Sequence, residues 1–301
     1  MTRPGYLRHL ASAPISWGIC EVPGWGLLLD PDRVLSEMRG LGIVATELGM
    51  AGWLGDSPAD VVATATRHEM QVIAGFVPLV LHDSAQRDTL RTEAVEAAAT
   101  LRAAGATHFV TAVVVDADWS PRVPLDKSGW KTMAEGFRIV DEICAEHGLT
   151  QAIHPHVNTL VETADDVNHV LDKSDVMWTF DMGHLFIGGT DPLRFVRENY
   201  DRIAHVHLKD VKRSVAERLN AKEITLFDAV REGIFTPMGS GDVPIASIVR
   251  ELTKRGFDGW YVLEQDQAIV GEMPAPGTGP VDAVRESVRF LESLAAADSH
   301  A

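Results

Sequence analysis

Cysteine is scarce. The chain has 301 residues and only two cysteines, Cys20 and Cys144. That excludes a disulfide framework, leaves stability to the core, and makes a reducing, cytoplasmic setting the expected one. Long hydrophobic runs are missing too. Nothing reaches the roughly 18 apolar residues that a membrane span needs. Residues 1–18 hold no long apolar segment of the kind that marks a signal peptide, so none is expected. Positive charge is in deficit: 27 lysines and arginines stand against 43 aspartates and glutamates, a formal net charge of −16. A field of that sign repels nucleic-acid phosphates and anionic membrane surfaces, so neither is an expected partner. A neutral small molecule and a bound cation remain compatible, as does a homodimer or higher homo-oligomer.

Apolar residues make up 46% of the chain, enough for one large core or two ordinary domains. Short runs rich in Val and Ile predict strands at 9–17, 43–50, 71–81, 107–115, 149–156, 175–184, 202–211 and 259–266. Helical patterns fill the intervals. "DPDRVLSEMRGLG" (30–42) opens with Asp30 as N-cap and Pro31 at the first helical position, and closes at Gly40 or Gly42. The stretches 88–106, 131–148 and 243–259 read alike. Eight strands alternating with helices predict an α/β fold with a parallel sheet buried on both faces. The count of eight favours a (β/α)8 TIM barrel. No Gly-rich dinucleotide fingerprint follows the first strand, which weakens the alternative of an open doubly wound sheet. No linker or composition break divides the chain, so one domain is expected over 1–301. Two insertions, 116–130 and 212–242, follow the fourth and seventh predicted strands. They read as lids over the C-terminal face or as surface decoration.

The last four predicted strands each end in a residue able to bind a metal: His154, Asp181, His207 and Glu264. The first three lie 27 and 26 residues apart, one βα unit each, and 212–242 lengthens the final interval. Equivalent heights on neighbouring strands let such side chains converge at the mouth of a barrel. Two imidazoles and two carboxylates suit a divalent ion such as Mn, Co, Fe or Zn. Without a cation, paired carboxylates repel and one takes a proton. Taken singly, each residue has an ordinary reading: a hydrogen-bonded histidine, or an aspartate capping a helix. Four in matched positions favour a metal site. His205 alternates with His207 and shares its side of the strand, so it falls deeper or supports a ligand. His154 and His156 leave open which of the two is the ligand.

These strand ends, "FDMGH", "HVHLKD" and "VLEQD", resemble the xylose-isomerase-like barrel superfamily, which includes endonucleases and keto-sugar epimerases. A closer similarity runs through "APISWGICEVPGWG" (13–26), "HPHVNTLVETADDV" (154–167), "DMGHLFIGGTDP" (181–192) and "FDAVREGIFTPMGSGDV" (227–243). These segments resemble inosose dehydratases, the 2-keto-myo-inositol dehydratases of inositol catabolism. The resemblance implies a divalent metal, Mn or Co first and Zn, Fe or Mg after them, and loss of water from a cyclic polyol ketone. Keto-sugar epimerases place a glutamate where this chain has His154, which disfavours a symmetric two-carboxylate proton transfer and favours elimination. Elimination needs a base for the α-proton and an acid for the departing hydroxyl. His184, His156, Glu47 and Lys209 are the candidates, His184 first. Trp17, Trp25, His82 and Asp83 are candidate substrate contacts: aromatic faces suit the C–H faces of a cyclic polyol, and the polar pair suits its hydroxyls. A keto-sugar isomerase or epimerase and a non-catalytic metal-binding barrel are the competing readings.

Overall fold

The computed structural model describes residues 4–299 apart from 21 and 23. Its strands are β1 (Leu10–Ser12), β2 (Ala45–Glu47), β3 (Gln71–Leu79), β4 (His108–Val113) and β5 (Thr150–Ile153). They continue as β6 (Met177–Asp181), β7 (Ile203–Leu208), β8 (Asp210–Val211), β9 (Phe235–Thr236) and β10 (Tyr261–Leu263). Strands β1 to β7 and β10 close an eight-stranded barrel in which β10 pairs with both β7 and β1. Every barrel pairing is parallel. Closure excludes the open doubly wound sheet.

The strands are largely apolar because both faces are covered. On β7, Val206 packs into the main core, while alternation turns His205 and His207 to the other face. Small residues on β1 and β2, Ala11 and Ala45, join Ile73, Val110 and Val262 in a second buried cluster. The helix Pro31–Gly40 begins as its sequence demands, with the Asp30 carboxylate accepting from the Asp32 amide. The helix Lys127–Glu146 starts four residues earlier than its periodicity suggests, because Asp126 accepts from the Gly129 amide.

Several strands are shorter than predicted. The apolar run 9–17 is strand only to Ser12; Pro14 has no amide to donate, and Pro14–Trp17 coils into a 3₁₀ turn. The run 175–184 stops at Asp181, which caps the helix Met182–Ile187 by accepting from the His184 amide at 2.8 Å. The run 202–211 divides into β7 and β8. Strand β8 pairs antiparallel with β9 from the second insertion. Asp210 caps no helix: it accepts from the amides of Gly239, Gly241 and Val243 at 2.8, 2.9 and 3.2 Å. A Cβ on Gly241 would lie 2.3 Å from the Asp210 carboxylate, so that cradle requires glycine. Between β8 and β9 run the helices Arg213–Asn220 and Leu226–Arg231. Among the described residues, no helix is long and apolar enough to cross a membrane.

Candidate active site

A cavity of about 750 Å³ opens at the C-terminal ends of the barrel strands. Both insertions reach it: the first contributes Asp118 and Trp119, the second Thr225, Leu226 and Phe227. Surface decoration is thereby set aside for both.

The four strand-end residues converge beneath this cavity, with His207 and Glu264 lining it. Ligand atoms of His154, Asp181, His207 and Glu264 all lie within 4.8 Å of one another, and all four residues are buried. His154 Nε2 is 3.2 Å from Asp181 Oδ2, and His207 Nδ1 is 3.5 Å from the same oxygen. His207 Nδ1 also closely approaches Glu264 Oε2. His156 stands outside this group, beside His184 and Asp266.

Glu47 sets the state of His207. Its buried Oε1 accepts from His205 Nε2 at 2.7 Å and from His207 Nε2 at 2.9 Å. A carboxylate oxygen only accepts, so each Nε2 carries a proton, and in the neutral ring His207 Nδ1 is a bare lone pair. That lone pair faces carboxylate oxygens. Neither His207 Nδ1 nor Glu264 Oε2 has a hydrogen-bond partner, and His154 Nδ1 also lacks one. Lone pairs crowded against lone pairs call for a cation, and two nitrogens with two carboxylates form a donor set for a divalent ion. Without one, a proton takes the place. Burial opposes charge on His207, but the Glu264 and Glu47 carboxylates outweigh it and hold its pKa well above the usual histidine range. The reciprocal effect holds Glu47 ionised: burial would raise its pKa, and His207 and His205 lower it further. Glu47 therefore orients His205 and His207 as an ionised acceptor.

Lys209 is fully buried behind the four. Its Nζ reaches Glu264 at 2.9 Å, Asp266 at 2.8 Å and Asp181 at 3.7 Å, and lies 4.6 Å from the centre of the Phe235 ring. Burial works against its charge, but the three carboxylates prevail and raise its pKa. It is an ammonium, a donor and not a base. Its Nζ lies 2.9 Å from His184 Nε2, and the Val157 amide donates to His184 Nδ1 at 3.4 Å. His184 stays neutral through burial and the nearby His156 and Lys209. It does not line the cavity; His156 does, with the two rings 4.0 Å apart. His156 Nδ1 donates to the Val157 carbonyl at 2.7 Å, which leaves Nε2 as the lone pair.

Of the expected substrate contacts, Trp25 lines the cavity and its indole donates to the Gln267 carbonyl at 2.7 Å. Trp17 belongs to the core, 0% exposed, with Nε1 donating to Glu37 at 2.8 Å. His82 and Asp83 do not line the cavity; Asp83 caps the turn Ser84–Gln86. Residues not singled out from the sequence also line it: Asp266, Phe76, Trp119 and Phe227. Asp266 had a signal, two positions beyond Glu264 in "LEQD".

Two partly buried histidines give the fold a pH dependence. His108 is pushed down to about 3 by burial and by His205, against which its ring stacks at 5.1 Å. His156 is also pushed to about 3, by burial and then by His154 and Lys209. The folded rings stay neutral where unfolded rings bind a proton, so stability is full above about pH 6.5 and drains away towards pH 3. Urea unfolding of the metal-free protein should show a loss of up to about 2 kcal/mol per ring between pH 7 and 4.5. His108→Gln should flatten that slope; an unchanged slope would remove His108 as a cause.

A parallel barrel carrying a buried two-histidine, two-carboxylate cluster under a cavity defines a class: a barrel with side chains able to hold a metal ion at its C-terminal mouth. The chain belongs to the xylose isomerase-like TIM barrel family, which it matches over residues 35–294. An inosose dehydratase of Geobacillus kaustophilus is 30% identical over 271 residues, covering 86% of this chain and 87% of the relative. The rhizopine catabolism protein MocC of Rhizobium meliloti is 32% identical, covering 86% and 81%. Among solved structures, an L-ribulose 3-epimerase superposes with a TM-score of 0.70 at 16% identity, covering 100% of this chain and 96% of that one. The probable 3-DHS dehydratase AsbF of Bacillus anthracis gives 0.67 at 15%, covering 94% and 98%. At such identities these two show the shared fold.

Proposed function

We propose that this protein is a metal-dependent hydro-lyase that removes water from 2-keto-myo-inositol in inositol catabolism. The observation that carries the reading is the convergence of His154, Asp181, His207 and Glu264 beneath a cavity, in a chain similar over most of its length to inosose dehydratases. Those four residues would hold the ion, Mn or Co first, and a divalent ion there supplies Lewis-acid polarisation of a carbonyl. The remaining chemistry is proton transfer. His156 presents an unprotonated Nε2 at the cavity and is the group placed to take the α-proton, with His184 behind it. Asp266 also faces the cavity. Burial raises its carboxyl pKa against the pull of Lys209, whose Nζ donates to it at 2.8 Å. Lys209 holds Glu264 and Asp266 in place as a fixed donor.

The test is mass spectrometry of 2-keto-myo-inositol incubated with the protein and Mn, Co, Zn, Fe or Mg, and with chelator. Loss of about 18 mass units, one water, that stops with chelator is the expected result. An isomer of unchanged mass would replace the lyase with an epimerase, and an unaltered ketone under every metal would remove both.

A further inference from the structure

The cavity is large for a bare inosose and poor in partners for its hydroxyls. A six-carbon polyol ketone fills on the order of 200 Å³, the room of about seven waters at ~30 Å³ each. The cavity holds about 750 Å³. Away from the cation site much of its wall is apolar, formed by Ile15, Ile19, Val22, Met50, Pro78 and Leu226. A hydroxyl turned towards such a wall gives up its water and gains nothing.

Two aromatic pairs add to that wall. Trp119 stacks on Phe76 at 6.1 Å with the ring planes 10° apart, and Trp25 meets Phe227 edge to face at 5.6 Å. Trp119 is held there at a cost. Its φ is +56°, a left-handed conformation that bulky residues rarely adopt. Asp116 fixes the turn: its carboxylate accepts from the amides of Asp118 and Ser120, and its carbonyl from that of Trp119. Glycine would serve this backbone better, so the ring at the mouth is what the position retains. Charge narrows the ligand further. Among the described lining residues there is no lysine or arginine, while Glu47, Asp118, Glu264 and Asp266 are acidic.

Resting on the function proposed above, we infer that the site takes an uncharged polyol ketone carrying an apolar O-alkyl or O-aryl substituent, which lies between the Trp119–Phe76 and Trp25–Phe227 pairs. The ketone and a neighbouring hydroxyl belong at the cation end, so the substituent sits on a ring carbon remote from the ketone.

The experiment measures equilibrium binding to the full chain loaded with Mn. The probes are myo-inositol and its mono-O-propyl and mono-O-benzyl ethers, which lack the ketone and do not turn over. At least one ether should bind at least tenfold more tightly than myo-inositol. Trp119→Gly, which suits the backbone at that position, and Phe227→Ala should each cut the ether-to-parent ratio by at least threefold. A myo-inositol monophosphate should bind at least tenfold more weakly than myo-inositol. Ethers that bind no better than the parent or not at all, a preference that survives both variants, or a phosphate that binds equally well would each overturn the inference. Dehydration of the parent ketone without any ether preference removes this inference and keeps the function; ether preference without dehydration does the reverse.

Discussion

Asp181→Ala should strip the protein of its divalent ion and lower kcat/KM on the ketone by at least about 10³, some 4 kcal/mol of transition-state stabilisation. Asp181 is 0% exposed and serves four partners at once. One oxygen accepts from the His184 amide; the other faces His154, His207 and Lys209. Burial alone would raise its pKa, but the Lys209 ammonium outweighs that and holds it ionised. The alanine variant therefore loses a proposed ligand and a helix cap together, and the cap alone is worth about 1 kcal/mol. Asp181→Asn separates the two roles, because an amide oxygen still accepts from the His184 amide but carries no charge. Metal content after desalting, read by elemental analysis, should collapse in both variants, with the asparagine form the more stable. Full metal content and full activity in either would remove Asp181 from the ligand set.

Lys209→Met should be the most destabilising substitution at the site, costing about 3–5 kcal/mol in the metal-free protein. Lys209 pairs with Glu264, Asp266 and Asp181 together, all three of them buried, whereas His207 faces only Glu264 and Asp181. Methionine fills the volume and leaves the charges. Added Mn should recover part of the loss, because a second cation then neutralises two of the same carboxylates. Urea unfolding with chelator and with Mn reads both effects; a loss below about 1 kcal/mol in chelator would show that the carboxylates simply take up protons. Gly183→Ala approaches the same residue from its other end. A Cβ there would lie 2.6 Å from Lys209 Cγ, so the lysine stem must shift. That variant should lose activity at a smaller cost in stability.

The barrel was legible because eight buried strands must each be apolar on both faces, and helices must separate them. Strand ends were less so. Tertiary demands, the missing amide of Pro14, the helix capping by Asp181 and the loop amides gathered by Asp210, cut the apolar runs short. The convergence of His154, Asp181, His207 and Glu264 came from spacing alone, since one βα unit returns the chain to the same height of the barrel. Residues whose role depends on a distant partner could not be read that way. Trp17 looks like Trp25 in sequence, yet Glu37, 20 positions on, draws its indole into the core. Glu47 gains its meaning from His205 and His207, some 160 residues away. Phe76 and Trp119 become a wall only after the first insertion folds over β3.

Asp210 has a consequence for how this molecule can change. Its carboxylate gathers the amides that end the second insertion, while β8 and β9 zip the insertion shut at its base. Residues 213–234 are thus a cassette clasped at one point, one residue beyond Lys209 and three beyond His207. New lengths and side chains can be spliced into the cassette without moving the clasp. The part of the cavity that faces the variable end of a substrate can then drift through many chemistries while the part that handles its protons stands still.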